Sequence, residues 1–344
     1  MSPVLRSANM TDKSQTRNGM ETPMTKPLRL LLAALLLIAG PAFGQGSYPN
    51  KQVRVVVPFP AGGSADILCR MVGEKLSAAW GQPVIIDNRA GAGGNVGAEI
   101  VYRADPDGYT LLCSPPGPLS INHNLYKTLP YDWTKFVPIG VLALVPNVIT
   151  ARPDLPAASL QEFIAYAKAN PGKATYASQG NGSTSHLSAS NLATLAGIEL
   201  VHVPYKGEGP ALVDITAGRV DIFIGNISAA LRFEKAKQVK FLGLASRSRS
   251  PVAPDVPITA ELGLPGLVAS AWFALVAPPG TPDAVVQKIN ADLVAALKQP
   301  DVRTKFLELG AEPQGGTTAQ TAAFIKDEEA RWREVIKSAN VTLE

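Results

Sequence analysis

The stretch from Val53 to Asp66, V-R-V-V-V-P-F-P-A-G-G-S-A-D, constrains this chain more than any other. A β-branched run of strand length stops at Pro58. A second proline and two glycines follow, and Ser64 then stands at a helix N-cap position with Asp66 in the first turn. The segment reads as strand, glycine-rich turn and helix, with the helical pattern continuing to Trp80. Gly62 and Gly63 free the backbone for φ > 0 and for close approach, so several N–H groups can point at one spot near the positive end of the helix dipole. Such a turn suits an anion. The same residues also suit a plain strand-to-helix connection.

Upstream, Met24 to Gly44 carries a basic start (Lys26, Arg29), an apolar run from Leu30 to Ala39, and Ala42-Phe43-Gly44 as a small-x-small cleavage site. This pattern predicts a secretory signal peptide at 24–44 within a leader at 1–44, and so a periplasmic protein beginning near Gln45. The apolar run is shorter than the roughly 20 residues of a membrane span. Residues 1–23 are polar and patternless, and Met20 or Met24 is the expected start. Removing residues 1–44 takes away five of 32 Lys/Arg and two of 28 Asp/Glu, which leaves 27 basic against 26 acidic residues. With no Lys/Arg cluster left, nucleic acid is excluded as a partner. Some 300 residues exceed what one core usually serves, so two lobes are expected.

Cys69 falls on the predicted first helix and Cys113 at the end of a predicted strand, so both are expected as small buried apolar residues rather than as a bridge. Only three histidines are present (His123, His186, His202), without Cys/His ligand spacing, so no metal is expected. Val84–Ile86 reads as a second strand leading to D-N-R-A-G-A-G-G-N-V-G-A, then a helix from about Asn95 to Ala104. That spacing misses both G-x-G-x-x-G and the P-loop, which argues against a nucleotide and leaves no cofactor predicted. Tyr109–Cys113 is a third strand. Strand and helix patterns alternate, so the fold class is α/β, with a parallel sheet whose loops gather at the strand carboxyl ends.

An apolar run over Val137–Ala151 leads into a second half built the same way. Ser159 caps a helix, Ala174–Ala177 is a short strand, and S-Q-G-N-G-S-T-S-H-L (178–187) supplies a second glycine-rich helix start. Leu200–Val203, Val220–Gly225, Lys240–Ala245 and Ala271–Val276 are further strands. Helices are expected at Pro210–Gly218, Pro282–Lys298, Asp301–Leu309 and Thr318–Lys337.

Ser183, Ser185, His186 and Asp66 would complete a hydrolase triad on paper, but no G-x-S-x-G elbow is present and His186 is expected to make a structural hydrogen bond. A binding protein accounts for more of the chain. Two lobes with facing Gly/Ser/Thr turns can clamp a small carboxylate by neutral donors. At roughly 1.5 to 3 kcal/mol per bond to a charged group, three or four such bonds reach the ~8 kcal/mol of a micromolar site.

The motifs Y-P-N-K-Q-V-R-V-V-V-P-F-P-A-G-G-S-A-D, N-R-A-G-A-G-G-N-V-G-A, D-P-D-G-Y-T-L-L, L-P-Y-D, P-G-K, G-N-G-S-T-S-H-L, H-V-P-Y-K-G, Asp255-Val-Pro-Ile258 and A-P-P-G-T-P occur in that order. From about Tyr48 onward the chain resembles the Bug family of extracytoplasmic solute receptors, the TctC-type receptors of tripartite tricarboxylate transporters. The resemblance implies a type II periplasmic binding fold with a ligand cleft between two α/β lobes, 45–145 with 272–344 and 146–271. It implies a non-enzymatic monomer that binds a carboxylate or related metabolite, often through waters at the first turn, and delivers it to membrane transporter subunits; a secreted serine hydrolase and a receptor for a signalling kinase are the alternatives. The implied ligand-binding residues are Ala61, Gly62, Gly63, Ser64 and Asp66 on the first turn, Gly180, Asn181, Ser183 and Ser185 on the second, and Ser114 and Asn226 on neighbouring loops. Two positions depart from the family pattern, Ala65 where Thr is frequent and Gly225 where Asp or Ala is frequent.

Overall fold

The computed structural model describes residues 48–338 and 341; the leader and signal-peptide expectation lies outside the described residues. Strand β1 (Val53–Val57) is buried at every valine, and helix α1 (Ser64–Trp80) lays Ala65, Leu68, Cys69, Val72 and Leu76 against it at helical spacing. Gly81, at φ 62°, ends that helix in the left-handed cap conformation. Strand β2 (Val84–Asn88), a 3-10 turn at Ala92–Gly94, helix α2 (Asn95–Tyr102) and strand β3 (Thr110–Ser114) follow, and β1 pairs in parallel with both β2 and β3.

Strand β4 (Val137–Ala151) is long enough to serve two sheets. Beyond it come α3 (Leu160–Ala169), β5 (Thr175–Ser178), α4 (Thr184–Ala196), β6 (Val201–Pro204), α5 (Glu208–Thr216), β7 (Ile222–Asn226), α6 (Ile227–Lys235) and β8 (Lys240–Ala245). The chain returns through β9 (Ser270–Ala277) and closes with α7 (Asp283–Lys298), α8 (Pro300–Glu308), β10 (Glu312–Gly315) and α9 (Thr318–Ser338). The first half of β4 pairs antiparallel with β9 and β10, and β9 in turn pairs antiparallel with β3. From Asn147 onward β4 pairs antiparallel with β7 and β8, while β5 sits parallel between β6 and β7. Each sheet with its helices makes one lobe, and β4 belongs to both.

Several expectations need correcting. The sheets are mixed rather than parallel, because β4 and β9 are connecting strands that run against their neighbours. Cys69 and Cys113 are buried as expected but form a disulfide: α1 folds back over the β1–β3 pair, which brings the two Cα atoms to 6.7 Å. Gly63, not Ser64, is the N-cap of α1, in extended conformation (φ −86°, ψ 170°), and the positive φ of this turn belongs to Gly62 at 84°. Helix α6, strand β10 and the short helical stretch at Gly117–Ile121 add to the elements expected from the sequence.

Candidate functional site

The carboxyl ends of two parallel strand pairs, β1 with β2 and β5 with β6, meet at one cavity of about 240 Å³. Strand β1 delivers Phe59, β2 delivers Gly91–Gly94, β5 delivers Gln179, Gly180 and Asn181, and β6 delivers Pro204, Tyr205 and Lys206; Tyr126 completes the wall. The first lobe touches the second here, since a Cβ built on Gly93 would lie 2.7 Å from the Tyr126 hydroxyl and 3.0 Å from the Asn181 carbonyl. The cavity's potential donors are neutral side chains and backbone, with the exposed Lys206 as its one cationic lining residue. Backbone and neutral side-chain donors of this kind can hold a small anion.

Behind Phe59 and Gln179, which line both spaces, lies a far smaller void of about 10 Å³. Gly63, Ser64 and Asn226 reach it, and so does Glu208, the first residue of α5. The Ser64 amide donates to Glu208 Oε2 at 2.7 Å and the Asn226 amide donates to Glu208 Oε1 at 3.1 Å. Burial raises the Glu208 carboxyl above the usual carboxylate range, against the pull of hydrogen bonds from Ser64 and Asn226. Gly207 makes this approach feasible: a Cβ there would sit 2.8 Å from Pro60 Cδ, so only a bare Cα carries α5 this close to the first turn. Sequence reading missed Glu208, which looks like an acidic residue in an ordinary helix first turn.

The other residues of the first turn also have partners within the chain. Asp66 Oδ2 accepts from the Gly62 amide at 3.0 Å, and Asp66 Oδ1 accepts from Arg70 Nε at 2.9 Å. Burial would raise the Asp66 carboxyl, but Arg70 and Gly62 outweigh it and hold it below its ordinary value. The Ser64 hydroxyl accepts from Ser228 at 2.6 Å. Ala61 is exposed, its carbonyl 3.5 Å from where a Gly209 Cβ would lie. Ser114, fully buried, donates to the Pro115 carbonyl at 2.9 Å.

Of the second turn's four expected ligand residues, Gly180 and Asn181 face the larger cavity, beside Gln179. Ser183 is the N-cap of α4, accepting from the His186 amide at 3.3 Å, and its hydroxyl donates to the Gly180 carbonyl at 2.7 Å. Ser185 accepts from the Gln179 amide at 2.9 Å. His186 Nδ1 accepts from the Gly182 amide at 3.2 Å, a structural bond that closes the turn. Of the two departures from the family pattern, Ala65 lines the small void and Gly225 lies under the Phe223 ring, where a Cβ would come within 2.0 Å.

The model of the tripartite tricarboxylate transporter family receptor matches residues 68–341. Protein BugT of Bordetella pertussis is 38% identical over 299 residues, 86% of this chain and 92% of that protein. Among solved structures, Rpa4515 of R. palustris with adipate superposes with a TM-score of 0.84 at 38% identity, over 86% of this chain and 99% of that one. MatC from Rhodopseudomonas palustris with bound malate gives 0.80 at 36% identity, over 84% and 100%. Family model, relative and fold agree along nearly the whole described chain, and on that ground it belongs to the tripartite tricarboxylate transporter receptor family, the TctC or Bug proteins, which are periplasmic solute-binding receptors of the periplasmic binding protein fold.

Proposed function

We propose that this chain is exported to the periplasm, captures a small carboxylate in the 240 Å³ cavity between its lobes, and delivers it as a monomer to the membrane subunits of a tripartite tricarboxylate-type transporter. The observation that carries this reading is the convergence of glycine-rich turns from both lobes on one cavity at the strand carboxyl ends. In this reading Gly180 and Asn181 meet the ligand directly, and Ser183 and Ser185 hold that turn in shape. Gly63, Ser64 and Asn226 lie behind the cavity at the smaller void, while Ala61, Gly62, Asp66 and Ser114 line neither space and support the first turn from outside it. The lobes divide at about residues 145 and 271, where β4 leaves the first sheet beside β9, and ligand shifts the lobes toward closure about these strands. Adipate and malate, held by two relatives, set the ligand class to try first.

A thermal-shift screen of mono-, di- and tricarboxylates, amino acids and aromatic acids tests the reading, since a ligand that binds only the native state stabilises it by RT ln(1 + [L]/Kd). One carboxylate class is expected to raise Tm saturably. Labelling of Ser183 or Ser185 by a serine-reactive probe, with no stabilising ligand in the screen, would overturn it in favour of a hydrolase.

A further inference from the structure

Three helix starts converge on the Glu208 carboxylate. Helix α1 presents the Ser64 amide, α6 follows directly on the Asn226 amide, and α5 begins with Glu208 itself. Gln179 Nε2 adds a longer contact of 3.4 Å to Oε1. Both carboxylate oxygens therefore accept, and the donors come from both lobes, since Ser64 belongs to the first and Asn226 and Gln179 to the second. At 5% exposure the group is out of water, so its oxygens depend on these donors and on the positive helix ends. A second mark of a polar site is Asn226 Oδ1, on a side chain 1% exposed at the same void, which has no hydrogen-bond partner.

Anion-holding turns of this kind ordinarily receive a carboxylate from outside. We propose that in this chain the first turn is a carboxylate site filled by the chain's own Glu208, which makes Glu208 a specificity-determining residue: it keeps a ligand's carboxylate away from the Ser64 amide and confines it to the outer cavity beside Gly180, Asn181 and Lys206. This deepens the receptor reading and rests on it for the word ligand, but the site itself can be tested without knowing what the receptor carries. Two ionised carboxylates at one buried amide repel each other unless a proton or another cation lies between them. A molecule bearing carboxylates at both ends is therefore a poor match for the inner end while Glu208 is present.

The test is chemical rescue in the full chain. Glu208→Ala removes the carboxylate and leaves its donors in place, and formate is the smallest molecule that restores it. Sodium formate is expected to raise the Tm of E208A saturably, by about 3 °C or more beyond equimolar sodium chloride. The parent protein and Glu208→Gln, whose inner site stays filled, should respond equally to both salts. If formate treats E208A and the parent alike, the assignment is overturned. Should E208A fail to fold in chloride, the readout is the yield of soluble folded protein on refolding: recovery with formate alone supports the site, and no recovery refutes it. Failure of the receptor reading would look different, as a parent protein that no carboxylate in the screen stabilises while the formate rescue of E208A persists.

Discussion

The imidazoles of His186 and His202 stack, ring centroids 4.3 Å apart and planes 5° from parallel, and the Tyr176 ring lies nearly parallel to both, 4.7 Å from His202 and 6.4 Å from His186. Burial lowers both residues to about 4, with the neighbouring His186 adding to the effect on His202. Unfolded, each titrates near 6.5. Between these values the unfolded chain binds more protons than the folded one, so stability is lost as pH falls from about 6.5 toward about 4. For the well-buried His186 the full contribution is roughly 3 kcal/mol. Urea midpoints measured from pH 7 to 5 should fall in the parent and fall less in His186→Gln. A flat parent profile over that range would refute the coupling.

The Cys69–Cys113 bridge ties the first helix to the third strand across a sequence separation of 44 residues. Loop closure of that length restricts the unfolded chain by about 4 kcal/mol in the chain-entropy view. Reduction, or Cys69→Ala with Cys113→Ala, should lower the denaturation midpoint without altering ligand affinity. Thiol counting by mass spectrometry on protein from the periplasm checks the bridge itself; two free thiols there would remove it.

Gly93 sits where the lobes touch, at φ 62°. In Gly93→Ala the new methyl would press on the Tyr126 hydroxyl and on the Asn181 carbonyl, so the lobes should be held apart. We expect affinity for the carboxylate identified in the thermal-shift screen to drop at least about tenfold, about 1.4 kcal/mol or more. Scattering at saturating ligand should give a larger radius of gyration than the parent. Parent-like affinity and radius would show that the lobes do not need this contact.

Ser183 offers a sharper contrast with sequence reading, which leaves its hydroxyl free for a ligand. As the N-cap of α4 and a donor to Gly180, it shapes the turn that carries Asn181. Ser183→Ala should cost about 1 kcal/mol of stability, within the 0.5 to 2 kcal/mol range of lost caps, and reduce affinity only indirectly. Calorimetric titration beside thermal melting separates the two effects. An unchanged Tm with a large affinity loss would restore Ser183 as a direct contact.

Legibility in the sequence followed how local each feature is. β4 is readable to its ends because Val137–Ala151 is a predominantly apolar run interrupted only by Asn147 and Thr150 among polar side chains, and α4 because Ser183 and the preceding glycines mark its start. Strand β10, E-P-Q-G, has no strand propensity of its own; it forms because the edge of β4 offers it partners. Glu208 lies 144 residues from Ser64, and no spacing rule links a helix-start acid in one lobe to a turn in the other. The cysteine pairing was hidden for the same reason, since only the packing of α1 over β3 makes the two residues neighbours.

Strand β9 lies between β3 and β4 and is hydrogen-bonded to both. The first sheet therefore stays split until residue 277 has been made, although β1, β2 and β3 are among the earliest parts to emerge. A chain shortened before β9 would expose the inner edges of β3 and β4, unpaired and apolar, as sticky ends. The second sheet, built on the far half of β4 from β5 to β8, needs no later strand, so it is the first lobe alone whose assembly waits for β9. Slow, nonlocal closure of this kind predicts that refolding is limited by the arrival of β9 rather than by the formation of any helix.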